Sequence, residues 1–137
     1  MPRTGALLSL SREHHSSLVI ARAARQAAES GDSAAFADMM QRIEEHWRTV
    51  LCEHFAREEQ LLRLMVDAVD VESVGRILAE HAELRLLACG PCELDLPARL
   101  QRFGELLAAH VRYEERVLFP LLQLHPSIDS AAAESTK

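Results

Sequence analysis

The sequence predicts an all-α protein, folded as an up-down-up-down antiparallel four-helix bundle. Three observations carry that expectation. The composition leans on Ala, Leu, Glu and Arg, all good helix formers, while 137 residues include only five Gly and five Pro. Apolar residues recur every three or four positions along four long stretches, the period of a helix with one buried face. The connections between those stretches are short, which favours antiparallel neighbours.

The first helix is expected from about Ser9 to Glu29, capped by Ser9 or Ser11 and stopped at Gly31. Leu7, Leu10, Leu18 and Ala21 lie on one face of it with His14. The second starts after Asp32-Ser33 and runs to about Val66, with Phe36, Met40, Ile43, Trp47, Val50, His54, Glu58, Leu61 and Met65 inward. The third runs from about Val71 to Ala88, with Val74, Ile77, Leu78, His81, Leu84 and Ala88 on one face, and Cys89-Gly90-Pro91 breaks it. The fourth begins near Leu96 or Pro97, because proline suits a first turn. It turns Leu100, Phe103, Leu106, Leu107, His110, Glu114, Val117, Leu118 and Leu121 inward, and Pro120 is expected to kink or end it. The Ser/Ala/Glu-rich end reads as disordered, so the chain divides into a bundle over 1–126 and a tail over 127–137.

A chain of this length makes one domain with a real core, and its 48% apolar content is ordinary for a globular protein. The net charge of −6 argues against nucleic acid as a partner, since neutralising phosphates needs a basic surface. No apolar run is long enough to span a bilayer, so no membrane partner is expected. The start, Met1 to Leu8, has only a very short apolar stretch and no convincing cleavage site, and a cytoplasmic location is expected by default. Three cysteines make no disulfide framework. Cys89-Gly90-Pro91-Cys92 matches the active-site tetrad of thioredoxin-like proteins, but no βαβ pattern surrounds it. It reads as a Gly-Pro turn flanked by two thiols, with a reversible disulfide as the alternative.

Chemistry enters with a duplication. His54-Phe55-Ala56-Arg57-Glu58-Glu59 and His110-Val111-Arg112-Tyr113-Glu114-Glu115 each place a carboxylate four residues after a histidine. Positions i and i+4 stack one turn apart on a helix, so both side chains can reach one metal ion. Glu13-His14 and Glu80-His81 precede the two pairs, giving two hairpins that each offer a lone histidine and then a His/Glu pair. His54, Glu58, His81, His110 and Glu114 all fall within apolar stripes. Burying even an uncompensated neutral polar group costs ~2–7 kcal/mol, so two buried glutamates need positive charge at the centre, which metal supplies.

His14 shares the Glu-His context of His81, and His15 lies about 100° round the helix. Either can serve as the first-helix ligand, with His14 preferred. His46 and His125 read as surface residues. Glu59 and Glu115 point sideways, as surface charge or as hydrogen-bond partners that orient a ligand histidine. Cys52 points away from the stripe.

These pieces, together with Phe119-Pro120, resemble the hemerythrin-like HHE cation-binding family over about Leu7 to Leu124. The resemblance implies a four-helix bundle around a non-haem di-iron centre, with zinc or manganese as alternatives in the same ligands. It implies His14 (or His15), His54, His81 and His110 as terminal ligands, and Glu58 and Glu114 as bridges. Two departures from the oxygen-carrying members matter. Arg85 stands where those have a further histidine, and the last motif is His110-x-x-x-Glu114 rather than His-x-x-x-x-Asp. A set poorer in nitrogen argues against reversible oxygen carriage and for open positions at which oxygen or nitric oxide reacts. The expected function is a metal-binding protein that binds, senses or detoxifies a diatomic gas, or holds iron, rather than a conventional enzyme. The alternatives are an iron–sulfur-centre repair factor linked to nitrosative stress and a metal-free structural bundle.

Overall fold

A computed structural model describes residues 5–125, so the expected tail over 127–137 lies outside the described residues. The described chain is all helical, with no strand. Its helices are α1 (Gly5–Glu29), α2 (Ser33–His46), α3 (Cys52–Leu64), α4 (Val71–Cys89), α5 (Leu96–Tyr113) and α6 (Phe119–Gln123). A π-helical turn, Trp47–Leu51, welds α2 to α3, and a second, Glu114–Leu118, welds α5 to α6. The six helices therefore make four rods: α1, residues 33–64, α4, and residues 96–123. That arrangement is consistent with a four-helix bundle.

Local chemistry sets the rod ends. Asp32, Asp70 and Asp95 cap α2, α4 and α5, each accepting a backbone N–H from Ala34, Ser73 or Ala98. Each such cap is worth about 1 kcal/mol. Gly31 takes the left-handed φ of +69° that reverses the chain after α1, as its position suggested. The expected cap of α1 is corrected, because the helix starts four residues before Ser9. Ser9 and Ser11 lie inside it, where their hydroxyls meet Arg57 and Glu115. At the other end of α4, the Arg99 guanidinium donates to the carbonyls of Leu86, Leu87 and Gly90. That satisfies acceptors a helix end leaves open. Cys89, among the clamped residues, is exposed and Cys92, just beyond them, is partly buried, and both are free thiols.

The core forms two apolar clusters with a polar layer between them. One holds Ala6, Leu7 and Leu10 of α1, Leu61 and Leu62 of α3, Ile77 of α4, and Leu118, Phe119 and Leu122 of the last rod. The other holds Ala21 and Ala24 of α1, Met39, Met40, Ile43, Trp47, Leu51 and Phe55 of the second rod, Leu84, Leu87 and Ala88 of α4, and Leu100, Phe103, Leu106, Leu107, Ala108 and Val111 of α5. His14, His54, Glu58, His81, His110 and Glu114 lie between the clusters, one turn from apolar residues on either side.

The π turns correct the expected stripes. A π turn closes i→i+5 and adds one residue to the helix circuit. Leu51 rather than Val50 is therefore buried, and Phe119 and Leu122 join the expected Leu118 inward while Val117 and Leu121 are exposed. Pro120 does not end the rod. It sits in the first turn of α6, directly after the widened turn, where the wider spacing relieves the clash a proline ring makes with the carbonyl four residues back. Two further expectations change. Leu18 is exposed, and Ser17 takes its place at the α1–α2 contact. Leu78 is also exposed, on the rim of a groove described below.

α1 and α5 approach closely at Gly104. A Cβ built there would lie 2.6 Å from the Ala21 carbonyl oxygen and 2.6 Å from Arg25 Cγ. Helix propensity favours alanine over glycine by about 1 kcal/mol, but overpacking of this kind costs about 1–3 kcal/mol. Gly104→Ala is thus expected to lower the urea midpoint. An unchanged or raised midpoint would show that the backbones separate freely.

Candidate metal centre

Each rod brings one histidine to the middle layer. His14 comes from α1, His54 from α3, His81 from α4 and His110 from α5, and all four are buried. Two rods add a carboxylate one turn further on, Glu58 at 2% exposure and Glu114 at 0%. His15 is exposed and joins neither cluster, so α1 contributes His14 of the adjacent pair.

The donors fall into two overlapping groups. His14, His54, Glu58 and Glu114 have ligand atoms all within 4.8 Å of one another, as do Glu58, His81, His110 and Glu114. Glu58 turns Oε2 to His54 Nε2 at 3.0 Å and to His14 Nε2 at 3.8 Å. Its Oε1 faces His81 Nε2 at 3.0 Å and His110 Nε2 at 3.9 Å. Glu114 divides itself likewise, with Oε1 at 2.8 Å from His14 Nε2 and Oε2 at 3.2 Å from His110 Nε2. Both carboxylates therefore present one oxygen to each group.

The outer face of every imidazole is also occupied. His14 Nδ1–H donates to Glu115 at 2.6 Å, His54 to Glu13 at 2.8 Å, His81 to Glu59 at 2.9 Å and His110 to Glu80 at 2.8 Å. With Nδ1 as donor, the neutral ring keeps its Nε2 lone pair aimed at the centre, the tautomer that a metal ligand needs. Glu13 is braced in turn by Arg57, and Glu80 by Arg76 at 3.2 Å. Glu59 and Glu115 take the orienting role expected as one of two readings. Glu13 and Glu80 were visible only as neighbours of His14 and His81, and each serves the histidine of the following rod.

Aromatic rings close the two ends of the layer. Phe55 stacks on His81 with centroids 3.9 Å apart, and Phe119 stacks on His14 at 5.2 Å. Beside Phe55, between α3 and α4, a groove of about 370 Å³ reaches His81. Cys52, Glu59, Leu78 and Arg85 line it. Arg85 thus faces this groove, one turn beyond His81.

His46 is corrected from surface to core. It is buried, and its Nε2 pairs with Ser17 Oγ at 3.0 Å across α1 and α2. Burial pulls its pKa down, with the charge of His54 adding to the effect, so it sits neutral. The line Met39, Ile43, His46 carried the signal, but a stripe anchored on Trp47 passes it by. His125 is partly exposed and pairs with Asp67 at 2.8 Å. Cys52 is exposed.

The donor set fits a metal. Glu58 Oε2, His110 Nε2 and Glu114 Oε2 are buried without a hydrogen-bond partner among the described residues, although each lies beside another donor atom. Lone pairs that converge without pairing are costly unless a cation takes them. Imidazole nitrogen and carboxylate oxygen suit iron, zinc and manganese alike.

The chain matches the model of the hemerythrin HHE cation binding domain over residues 7–122, and it belongs to that family. No curated protein and no solved structure matches it.

Without metal, protons must supply the positive charge. Burial works against charging His14 and His54, but the adjoining Glu114 and Glu58 outweigh it and raise His14 to about 10 and His54 to about 9. Burial pushes Glu58 up, yet the surrounding imidazoles hold it well below its usual value. A raised histidine stabilises the fold fully below its unfolded pKa, near 6.5, and loses that contribution as pH climbs through about 9–10. The lowered Glu58 stabilises above 4.5 and loses its contribution as pH falls through its folded value. Chelator-treated protein is therefore expected to melt at progressively lower temperature from pH 7 to pH 10. A flat profile over that range would show that the imidazoles are already neutral.

Proposed function

We propose that this chain holds two non-haem iron ions and uses them to bind, sense or detoxify oxygen or nitric oxide, or to store the iron itself. The observation that carries the proposal is the pair of donor groups sharing Glu58 and Glu114. In this reading His14 and His54 serve one ion, His81 and His110 the other, and both glutamates bridge. Two ions in such a site lie roughly 3.5–4 Å apart, where shared negative charge offsets their repulsion. The irons would supply one-electron chemistry with the gas, which zinc in their place would not.

The groove beside His81 offers a small molecule a route to the layer, with Phe55 as its inner wall. Arg85 adds no nitrogen donor, and a set of four imidazoles and two carboxylates favours reaction over reversible carriage. An up-down-up-down antiparallel order belongs to the same proposal. Its support is that one apolar cluster gathers the first turns of α1 and α4 with the last turns of α3 and α6. A cytoplasmic location and a diatomic gas as ligand are part of it too, and no described helix is long and apolar enough to cross a membrane.

The direct test is purification without air, metal analysis, then admission of oxygen or nitric oxide with a visible spectrum recorded. Two irons per chain and a gas-dependent spectrum support the proposal. A metal-free chain that takes up no iron leaves a structural bundle.

The bridges and their supports separate by stoichiometry. Glu58→Ala or Glu114→Ala is expected to cost the second ion before the first, leaving about one metal per chain. Two tightly held irons in the double variant would refute bridging. In contrast, Glu13→Ala, Glu59→Ala, Glu80→Ala and Glu115→Ala each leave a ring unoriented and should weaken metal affinity ~10–100-fold at unchanged stoichiometry. A competition titration against a chelator distinguishes the two patterns.

A further inference from the structure

Beyond the Glu80–Arg76 pair lies a feature that the metal centre does not use. Arg76 of α4 faces Arg112 and Arg116 of the last rod across an open recess of about 320 Å³, with Ala109 and Tyr113 between them. The Tyr113 ring is fixed from two sides. Its hydroxyl donates to Ser73 Oγ at 2.8 Å, and the Arg76 guanidinium carbon lies 3.8 Å from the ring centroid. Arg76 gives its Nε–H to Glu80 at 3.2 Å, which leaves its Nη groups for something else. Neither Arg112 nor Arg116 makes an ion pair among the described residues.

Three guanidiniums meeting one carboxylate leave two positive charges in excess, on a chain whose net charge is −6. Like charges four residues apart on a helix repel, so Arg112 and Arg116 destabilise their own rod unless an anion joins them. The small Ala109 side chain leaves the hollow open, and Arg112 and Arg116 lie on either side of the start of the π turn, an element found often at functional sites.

We propose that this recess binds a small phosphate-bearing molecule, either inorganic phosphate or a small phosphomonoester. Guanidinium forks match phosphate oxygens in geometry as well as charge. The volume lies at the lower end of ligand pockets, which suits a phosphate with little attached. The negative chain as a whole repels a long polyanion such as nucleic acid. The site also reaches the metal centre, because Glu80 joins Arg76 on one oxygen and the His110 Nδ1–H on the other. An anion that draws on Arg76 thereby changes the carboxylate that holds His110.

The test is calorimetric titration of the whole chain with inorganic phosphate, and separately with glycerol phosphate, at ionic strength fixed by sodium chloride. Metal-loaded and chelator-treated protein are both used. One saturable site is expected in both forms, with the His110 Nδ1–H resonance of the chelator-treated protein shifting along the same isotherm. Arg112→Gln with Arg116→Gln should weaken binding at least tenfold while leaving metal content unchanged and, with the like-charge repulsion removed, the melting temperature of the anion-free protein no lower than the parent's. Ala109→Trp, which fills the recess and keeps the charges, should do the same. Tighter binding of glycerol phosphate than of phosphate identifies a phosphomonoester as the ligand class, and the reverse identifies the free ion. The proposal is overturned by a titration that never saturates, by binding confined to the metal-loaded form, or by variants that bind as well as the parent.

Discussion

Two carboxylates at the centre of a small helical protein set the terms for everything around them. Glu58 and Glu114 have almost no contact with water. An ion taken out of water costs several kcal/mol even after relaxation, and the whole stability of a domain is only about 5–15 kcal/mol. Two uncompensated charges would consume most of it. Near neutral pH that charge is balanced by protons on the imidazoles or by metal. The raised pKa values of His14 and His54 and the depressed one of Glu58 are the same requirement seen from each side. Metal and protons compete for the same nitrogens, so loading expels protons and strengthens as pH rises.

Such competition works only if the rings are held in place in both states. The four Nδ1 bonds do this in a closed circuit. Glu13 on the first rod holds His54 on the second, Glu59 on the second holds His81 on the third, Glu80 on the third holds His110 on the fourth, and Glu115 on the fourth holds His14 on the first. Every rod gives one carboxylate and receives another at its histidine. A rotation of any rod about its axis breaks one bond on each side, so the circuit fixes the rotation of all four. The apolar clusters above and below are less particular, because aliphatic side chains can repack at modest cost. Position comes from the polar layer and most of the favourable burial from its two neighbours.

That division explains what the sequence made legible. The pairs His54/Glu58 and His110/Glu114 could be read directly, because i,i+4 spacing is a property of one helix. So could the four rods, whose apolar period persists through both π turns. Glu13 and Glu80 could not be assigned, since their partners lie on other rods and the contact depends on relative rotation. The choice between His14 and His15 turned on the same unknown. His46 was missed because Trp47 beside it carried the stronger apolar signal. Leu18 and Leu78 fit their stripes by spacing, but lie at the edges of the buried face where 3.6-residue periodicity cannot decide.

The π turns are the least legible feature and bear most directly on the site. An apolar pattern of threes and fours continues to look regular after one residue has been inserted, with the register displaced by one. In the last rod only Pro120 hints at the change, since it sits where an unbroken α-helix would suffer a clash with the carbonyl of Arg116. The displacement brings Phe119 and Leu122 inward beside Leu118 and puts Phe119 against the ring of His14. A continuous α-helix would have turned Val117 and Leu121 to that side and left His14 without its stacking partner. In the earlier rod the π turn precedes His54, and Phe55 then reaches His81. The duplicated halves thus place their phenylalanines alike with the inserted residue on opposite sides of the His/Glu pair. In both halves a phenylalanine ring packs on the imidazole of a Glu-His rod, and each comes from a rod that carries a π turn.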